Sequence, residues 1–309
     1  MITIYRTQDG ILQTVSEPTP GCWINVVDPT PDEIARLQEW GFPQDFLTPP
    51  LDLDERPRTE KEDGEVLIVL RIPCFQGETS DIPYATLPLG IVLTDRCVVT
   101  VCKRENGAIQ ELLAGRVKGL STAKRNRLVL HLLLRIAARY LNYLREINRA
   151  VELVEDKLQA SMRNREVLEL LKYQKSLTYF TTALKSNELV LQRLQRSQLF
   201  HMYPEDEDLL EDALTETQQA IEMTNISANI LSQMMDAFAS IISNNLNVVM
   251  KFLASVTIVL ALPTMIASFY GMNVDLPLDE HPAAFLAILG VSVLVSLVVV
   301  LIFWRKDWF

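Results

Sequence analysis

Met250 to Tyr270 reads MKFLASVTIVLALPTMIASFY, and Ala284 to Phe303 reads AFLAILGVSVLVSLVVVLIF. After Lys251 no charge appears until Asp275, and the second run has none at all. Each run is about 20 residues, the length an α-helix needs to cross a hydrocarbon core of roughly 30 Å. Two such runs in succession predict a transmembrane hairpin rather than a pair of buried core helices. Their place in the last sixty or so residues argues against a secretory signal. The connection between them, GMNVDLPLDEHPA, has no Lys or Arg, whereas Lys251 precedes the first run and Arg305 and Lys306 follow the second. The positive-inside rule then places both termini in the cytoplasm and the connection outside, in an inner or plasma membrane crossed twice.

Working outward from the first run, neither Pro nor Gly occurs between Pro204 and Pro263, and Glu205, Asp206, Glu207 and Asp208 open the stretch. Acids in a first turn offset the helix dipole. This predicts one helix from about Pro204 to Tyr270, on the order of 100 Å long at 1.5 Å per residue, with Pro263 a point of kinking inside the membrane. Steps of four and three from Asp236 meet Ser240, Ser243, Asn247, Met250, Ala254, Thr257, Ala261, Thr264 and Ser268. A coiled-coil seam would carry Leu and Ile at this spacing. Small residues also suit helix–helix packing in lipid. Asn or Asp at the cytoplasmic end, with Thr and Ser through the bilayer, fits a water-lined pore better. One hairpin cannot enclose a pore, so this reading implies an oligomer with the helix innermost.

The first third reads as mixed α/β. Ile2–Arg6, Gln13–Val15, Trp23–Val27, Leu67–Ile72, Leu89–Leu93 and Cys97–Cys102 are strand candidates. Thr30-Pro31-Asp32-Glu33 starts a helix with an N-cap, Pro at the first position and acids in the first turn. Asp54-Glu55-Arg56-Pro57-Arg58 reads as a solvated, salt-bridged turn. No Ser/His/Asp or Cys/His set accompanies it, and His131, His201 and His281 lie elsewhere, so no enzyme is expected. The spacings of Cys22, Cys74, Cys97 and Cys102 match no zinc template, and these residues read as reduced core cysteines. From about Ala108 the chain turns helical. Leu130, Leu133, Leu134, Ala137, Leu141 and Leu144, then Leu168, Leu171, Leu177, Leu184, Leu189 and Leu194, predict two amphipathic helices joined near Met162-Arg163-Asn164 as an antiparallel hairpin. A net charge of −10 argues against nucleic acid as a partner and can concentrate cations near the surface.

Tyr270-Gly271-Met272-Asn273, at the end of the first of two C-terminal spans and with Pro263-Thr264 upstream, resembles the signature of the CorA magnesium transporters. WINVVDPTPDEI at Trp23–Ile34, DERPRTEKEDGEVLIVLRIP at Asp54–Pro73 and TDRCVVTV at Thr94–Val101 resemble that family's cytoplasmic domain. The resemblance covers the whole chain. It implies an α/β cytoplasmic domain at 1–107, a helical hairpin at 108–203 and a pore helix at 204–270 with its span at about 250–270. An outer loop at 271–283, a second span at 284–303 and a tail at 304–309 complete the chain, in a homopentameric, channel-like assembly. It further implies passive Mg²⁺ uptake without a resident cofactor, with Mg²⁺ as the transported and regulatory ion.

Mg²⁺ gives up its water reluctantly, so capture of the hydrated ion by side-chain and backbone oxygens is expected. Gly271 and Asn273 would form the outer selectivity site, supported by Tyr270 and Met272, with Gly271 letting the backbone turn and bring carbonyls close. Asn247, Met250, Leu253, Thr257, Ala261, Thr264 and Ser268 fall on the family's pore-lining positions, and Met250 and Leu253 would form an apolar constriction. Two departures stand out. The outer loop offers only Asp275, Asp279 and Glu280 as acids. The family's regulatory metal pair matches Asp212 on one side but Pro49 on the other, leaving Asp52 or Asp54 as substitutes. The same architecture could carry Zn²⁺, Co²⁺ or Ni²⁺, although a zinc specialist has Ile where Met272 stands. A reading of another class is a membrane-tethered cytoplasmic sensor, for which Asn273 and the polar stripe would be dispensable.

Overall fold

The computed structural model describes residues 1–115, 117, 119–161, 164–196, 203–272, 283–306 and 308. The chain divides into two units, Met1–Gln233 and Met234–Phe309.

The first unit is built on a seven-stranded sheet of β1 (Ile2–Gln8), β2 (Ile11–Val15), β3 (Trp23–Val27), β4 (Arg58–Glu62), β5 (Glu65–Phe75), β6 (Tyr84–Leu93) and β7 (Val98–Cys102). Its order is β2-β1-β3-β7-β6-β5-β4. Neighbours are antiparallel except β3 and β7, which run parallel in register Trp23↔Val98 to Val27↔Cys102. Strand alternation sorts side chains to two faces. Ile24, Val26, Leu67, Val69, Val99 and Val101 pack with Leu37 of α1 (Pro31–Glu39) and with Phe46 and Leu47 of α2 (Gln44–Leu47). On the sheet's other side lie α3 (Gly107–Leu113), α4 (Arg125–Ser161) and α5 (Asn164–Arg196).

α1 starts where its cap requires. Glu33 N–H donates to Thr30 Oγ1 at 3.3 Å, and Thr30 N–H donates to Glu33 Oε2 at 3.0 Å. The α4–α5 pairing is read from shared partners. Tyr140 Oη and Asn187 Nδ2 both donate to the Arg71 carbonyl, at 2.9 and 2.7 Å. Further along α4, Glu146 accepts from Tyr84 Oη at 3.2 Å, while earlier on α5 Ser176 Oγ accepts from Tyr84 N–H at 3.2 Å. Rising numbers on α4 meet falling numbers on α5, so the helices are antiparallel. The buried face of α5 differs from the expected one. Leu170, Leu177, Phe180, Leu184, Leu191 and Leu194 are buried, while Leu168, Leu171 and Leu189 are exposed. Leucine occurs on both faces of α5, and the position of the sheet, not leucine spacing, decides which face is covered. The expected bend at Met162-Arg163 lies outside the described residues.

Three short elements escaped the sequence reading: β4, α2 and a 3₁₀ turn at Pro49–Leu51. The turn packs against β6 so closely that a Cβ on Gly90 would lie 2.1 Å from Pro50 Cγ.

α6 (Pro204–Tyr270) is continuous through Pro263. Its start is tied to α4: Arg127 Nε donates to Asp206 Oδ1 at 2.8 Å and Arg127 Nη2 to Glu205 Oε2 at 2.6 Å. The second unit consists of the C-terminal part of α6 and α7 (Ala284–Arg305).

Candidate ion pathway

In the second unit, α6 and α7 each present an apolar window of which only 6% is buried. A soluble protein buries such a helix in its core, so apolar exposure along both helices marks a surface made for lipid or for other subunits. Between α6 and α7 lie two apolar clefts. Val256, Val259, Leu260, Val300 and Trp304 line one. Pro263, Leu289, Ser292, Ser296 and Val300 are among the residues lining the other. Ser255 on α6 and Ser292 on α7 are buried. Ser292 and Ser296 were not among the expected residues; two serines four apart in an otherwise apolar run are the signal for a close helix contact. Pro263 also carries no N–H, so the Val259 carbonyl lacks its usual helical donor.

At 100° per residue, Ser255, Val259, Leu262 and Ile266 form one stripe, and Leu253, Thr257, Thr264 and Ser268 lie on the opposite side. Burial follows that division. Asn247, Met250, Leu253, Thr257, Ala261, Thr264 and Ser268 are all exposed, whereas Val259, Leu262 and Ile266 are partly covered. The expected pore-lining set therefore shares one continuous face, turned away from α7. Thr257, Ala261, Thr264 and Ser268 border a common shallow groove there.

The hydroxyls on this face have a fixed polarity. Thr257 Oγ1 donates to the Leu253 carbonyl at 2.8 Å, Thr264 Oγ1 to Leu260 at 3.0 Å and Ser268 Oγ to Thr264 at 2.8 Å. Each hydroxyl hydrogen is committed to its own helix, so the remaining lone pairs point acceptor character outward. Oxygen acceptors are what the water shell of a hydrated cation needs, since its waters can only donate.

α6 ends at Tyr270. Gly271 N–H donates to the Ala267 carbonyl at 3.0 Å, and Met272 N–H to Phe269 at 3.3 Å. Gly271 is not among the residues with positive φ, and a Cβ there would meet only ordinary contacts, Ala267 O at 3.5 Å and Ser268 O at 3.6 Å. Among the described residues, then, neither φ nor space demands glycine at 271, and the loop it leads into lies outside them. Tyr270 and Met272 are exposed. Asn273, Asp275, Asp279 and Glu280 lie outside the described residues.

Asp52, Asp54 and Asp212 are exposed residues of the first unit. Asp52 Oδ1 accepts from Asp54 N–H at 3.0 Å, and Arg71 Nη1 donates to the Leu53 and Glu55 carbonyls, each at 3.0 Å, fixing their loop. Asp212 lies on α6, where burial, opposed by Arg135 and aided by Asp212, raises the pKa of Glu216 one turn on. Pro49 opens the 3₁₀ turn. Among the described residues no three His, Cys, Asp or Glu side chains converge to hold a metal within one chain.

Comparison with known proteins agrees with this architecture. Residues 20–306 match the family described as "CorA-like Mg2+ transporter protein". A "Cobalt/magnesium transport protein CorA" of Methanocaldococcus jannaschii is 32% identical, over 93% of this chain and 90% of that protein. A protein of the same name from Thermotoga maritima is 25% identical, over 98% of this chain and 88% of its own length. The complete structure of the CorA magnesium transporter from M. jannaschii superposes with a TM-score of 0.87 at 28% identity, covering 100% of this chain and 99% of that one. The two exposed apolar helices, the α/β domain and these matches together place the chain in the CorA-like Mg²⁺ transporter family, as a membrane transporter and not an enzyme.

Proposed function

We propose that the chain assembles as a homopentamer that lets Mg²⁺ pass into the cytoplasm down its electrochemical gradient. The observation that carries this reading is the acceptor-bearing face of α6 from Asn247 to Ser268, exposed in one chain and turned away from α7. Brought together around an axis, five such faces would line a wet path. Met250 and Leu253 would narrow it with an apolar ring that closes by dewetting. Above them Thr257, Thr264 and Ser268 would accept hydrogen bonds from the water shell of the ion. At the outer mouth Asn273 amide oxygens and backbone carbonyls from Gly271 onward would select the hydrated ion, with Asp275, Asp279 and Glu280 attracting cations from outside. With both termini in the cytoplasm, a membrane potential favours entry by roughly 2.3 kcal/mol per charge per 100 mV, so no nucleotide is needed. Recognition through the water shell discriminates poorly between ions of equal charge and similar size. Co²⁺, named with magnesium for both relatives, is therefore expected to pass as well.

The test is Mg²⁺ influx into liposomes holding the purified protein, read by a Mg²⁺-sensitive dye, with Asn273→Ala alongside and Co²⁺ and Zn²⁺ in parallel. Loss of influx in the assembled variant supports the outer selectivity site. Assembled wild type that passes no Mg²⁺ at any internal Mg²⁺ level rejects the reading; Zn²⁺ flux would then indicate a zinc carrier, and no flux a tethered sensor. A regulatory cation would draw on Asp212 of one subunit and Asp52 or Asp54 of the next, since Pro49 offers no side-chain ligand. Raising internal Mg²⁺ in the same assay with Asp212→Asn reads this directly: inhibition unchanged by the substitution rejects the site.

A further inference from the structure

Cys22 and Cys97 each stand one residue before a strand, β3 and β7 respectively, and these two strands pair in parallel from Trp23↔Val98. Val98 N–H donates to the Cys22 carbonyl at 3.2 Å, and Gly21 N–H to the Arg96 carbonyl at 2.7 Å, so the two cysteines lie side by side. Both are buried free thiols, and their sulfurs are 3.0 Å apart. The backbone on each side is held. Cys97 N–H donates to Thr94 Oγ1 at 3.1 Å, Thr94 N–H to the Cys97 carbonyl at 3.1 Å, and Cys22 N–H to the Thr19 carbonyl at 3.0 Å. A cavity bordered by Thr19, Pro20, Trp40, Thr94, Arg96 and Cys97 brings small molecules to the Cys97 side of the pair.

We propose that Cys22 and Cys97 form an oxidative modification site, at which hydrogen peroxide converts two thiols into a disulfide that staples β3 to β7. A disulfide spans about 2.05 Å, so the sulfurs need to approach by only about 1 Å. The Cys97 hydrogen bond, with backbone hydrogen bonding at Thr19 and the Arg6 charge in support, holds the Cys22 thiol down at about 7, against the opposing effect of burial. The Cys22 thiolate attacks one peroxide oxygen, the O–O bond breaks, and hydroxide leaves a sulfenic acid on Cys22. The Cys97 sulfur then attacks the Cys22 sulfur, the S–S bond forms, the S–O bond breaks, and water leaves with the Cys97 proton. Two thiols are oxidised and one peroxide becomes two waters. Cys74 and Cys102 serve as internal controls. They sit on β5 and β7, which β6 separates, and burial raises both thiols, Cys102 to about 11.

The experiment uses the full chain in detergent, exposed to hydrogen peroxide, denatured, and alkylated for intact and peptide mass spectrometry. Wild type is expected to lose two of its four alkylatable thiols and to yield a dithiothreitol-reversible peptide joining Cys22 to Cys97. Cys74→Ser/Cys102→Ser should give the same link, and Cys22→Ser should give none. Retention of four alkylatable thiols, a link between another pair, or sulfinic and sulfonic products without a link overturns the proposal. None of these readouts depends on ion flux.

Discussion

Two glycines show how differently one residue type can be used. At Gly90 the constraint is internal: Pro50 occupies the space a side chain would need. Gly90→Ala is expected to cost on the order of 1–3 kcal/mol, seen as an earlier thermal unfolding of the detergent-solubilised protein. At Gly271 no described residue excludes a methyl group. Gly271→Ala is therefore expected to unfold within about 1 kcal/mol of wild type yet to carry less Mg²⁺ in liposomes, because the added carbons would crowd the mouth formed by neighbouring subunits. Equal flux would remove Gly271 from the selectivity site. Sequence alone marked Gly271 through its Tyr-Gly-Met-Asn setting; its own φ is not positive, and the loop it leads into lies outside the described residues. Gly90 was invisible, because its partner Pro50 lies forty residues away in the sequence.

Among the elements, those with a strong internal signal were legible and those defined by a neighbour were not. The Thr30 cap fixed the start of α1 at Pro31, and the absence of breakers fixed α6 from Pro204 to Tyr270. β4 reads RTEKE, a charged run that forms a strand only because β5 offers an edge, and charge is what a sheet edge carries. The N-terminal half of β6 was hidden by Pro88. β7 pairs with β6 only from Leu89 onward, so Pro88 lies where one edge is open and a missing N–H is tolerated. Where α6 meets α4, His131 lies near Arg127, Arg135 and Asp206; burial, then the two arginine charges, lower its pKa below 6.5 in spite of Asp206. The folded state thus prefers neutral His131, and the unfolded chain binds the proton more readily. Its contribution to stability is complete above pH 6.5 and is lost as pH falls below that value. Thermal unfolding between pH 7.5 and 5.5 should show a decline that His131→Gln reduces; an identical slope in the variant would assign the acid sensitivity elsewhere.

At the scale of the whole molecule, an apolar surface on both α6 and α7 with a polar stripe on one face implies more than one chain. Light scattering with the detergent contribution subtracted should give about 175 kDa, five chains of 35.1 kDa, and a single-chain mass would exclude an enclosed path. The membrane hairpin and the stripe were readable because lipid imposes length and composition directly on sequence. Subunit number was not, since it depends on angles between faces that no single chain contains. The parallel pairing of β3 with β7 has a consequence in time. β1, β2 and β3 can join through short connections as soon as they are synthesised, and so can β4 to β7. The two groups of strands meet only when Val98–Cys102 is available to Trp23–Val27. Closing that long loop is the costly event, so joining the two groups is expected to limit the rate at which the domain folds. Until then the outer edge of β3 is an open template on the nascent chain, and the interval before β7 leaves the ribosome is when this domain is most exposed to mispairing.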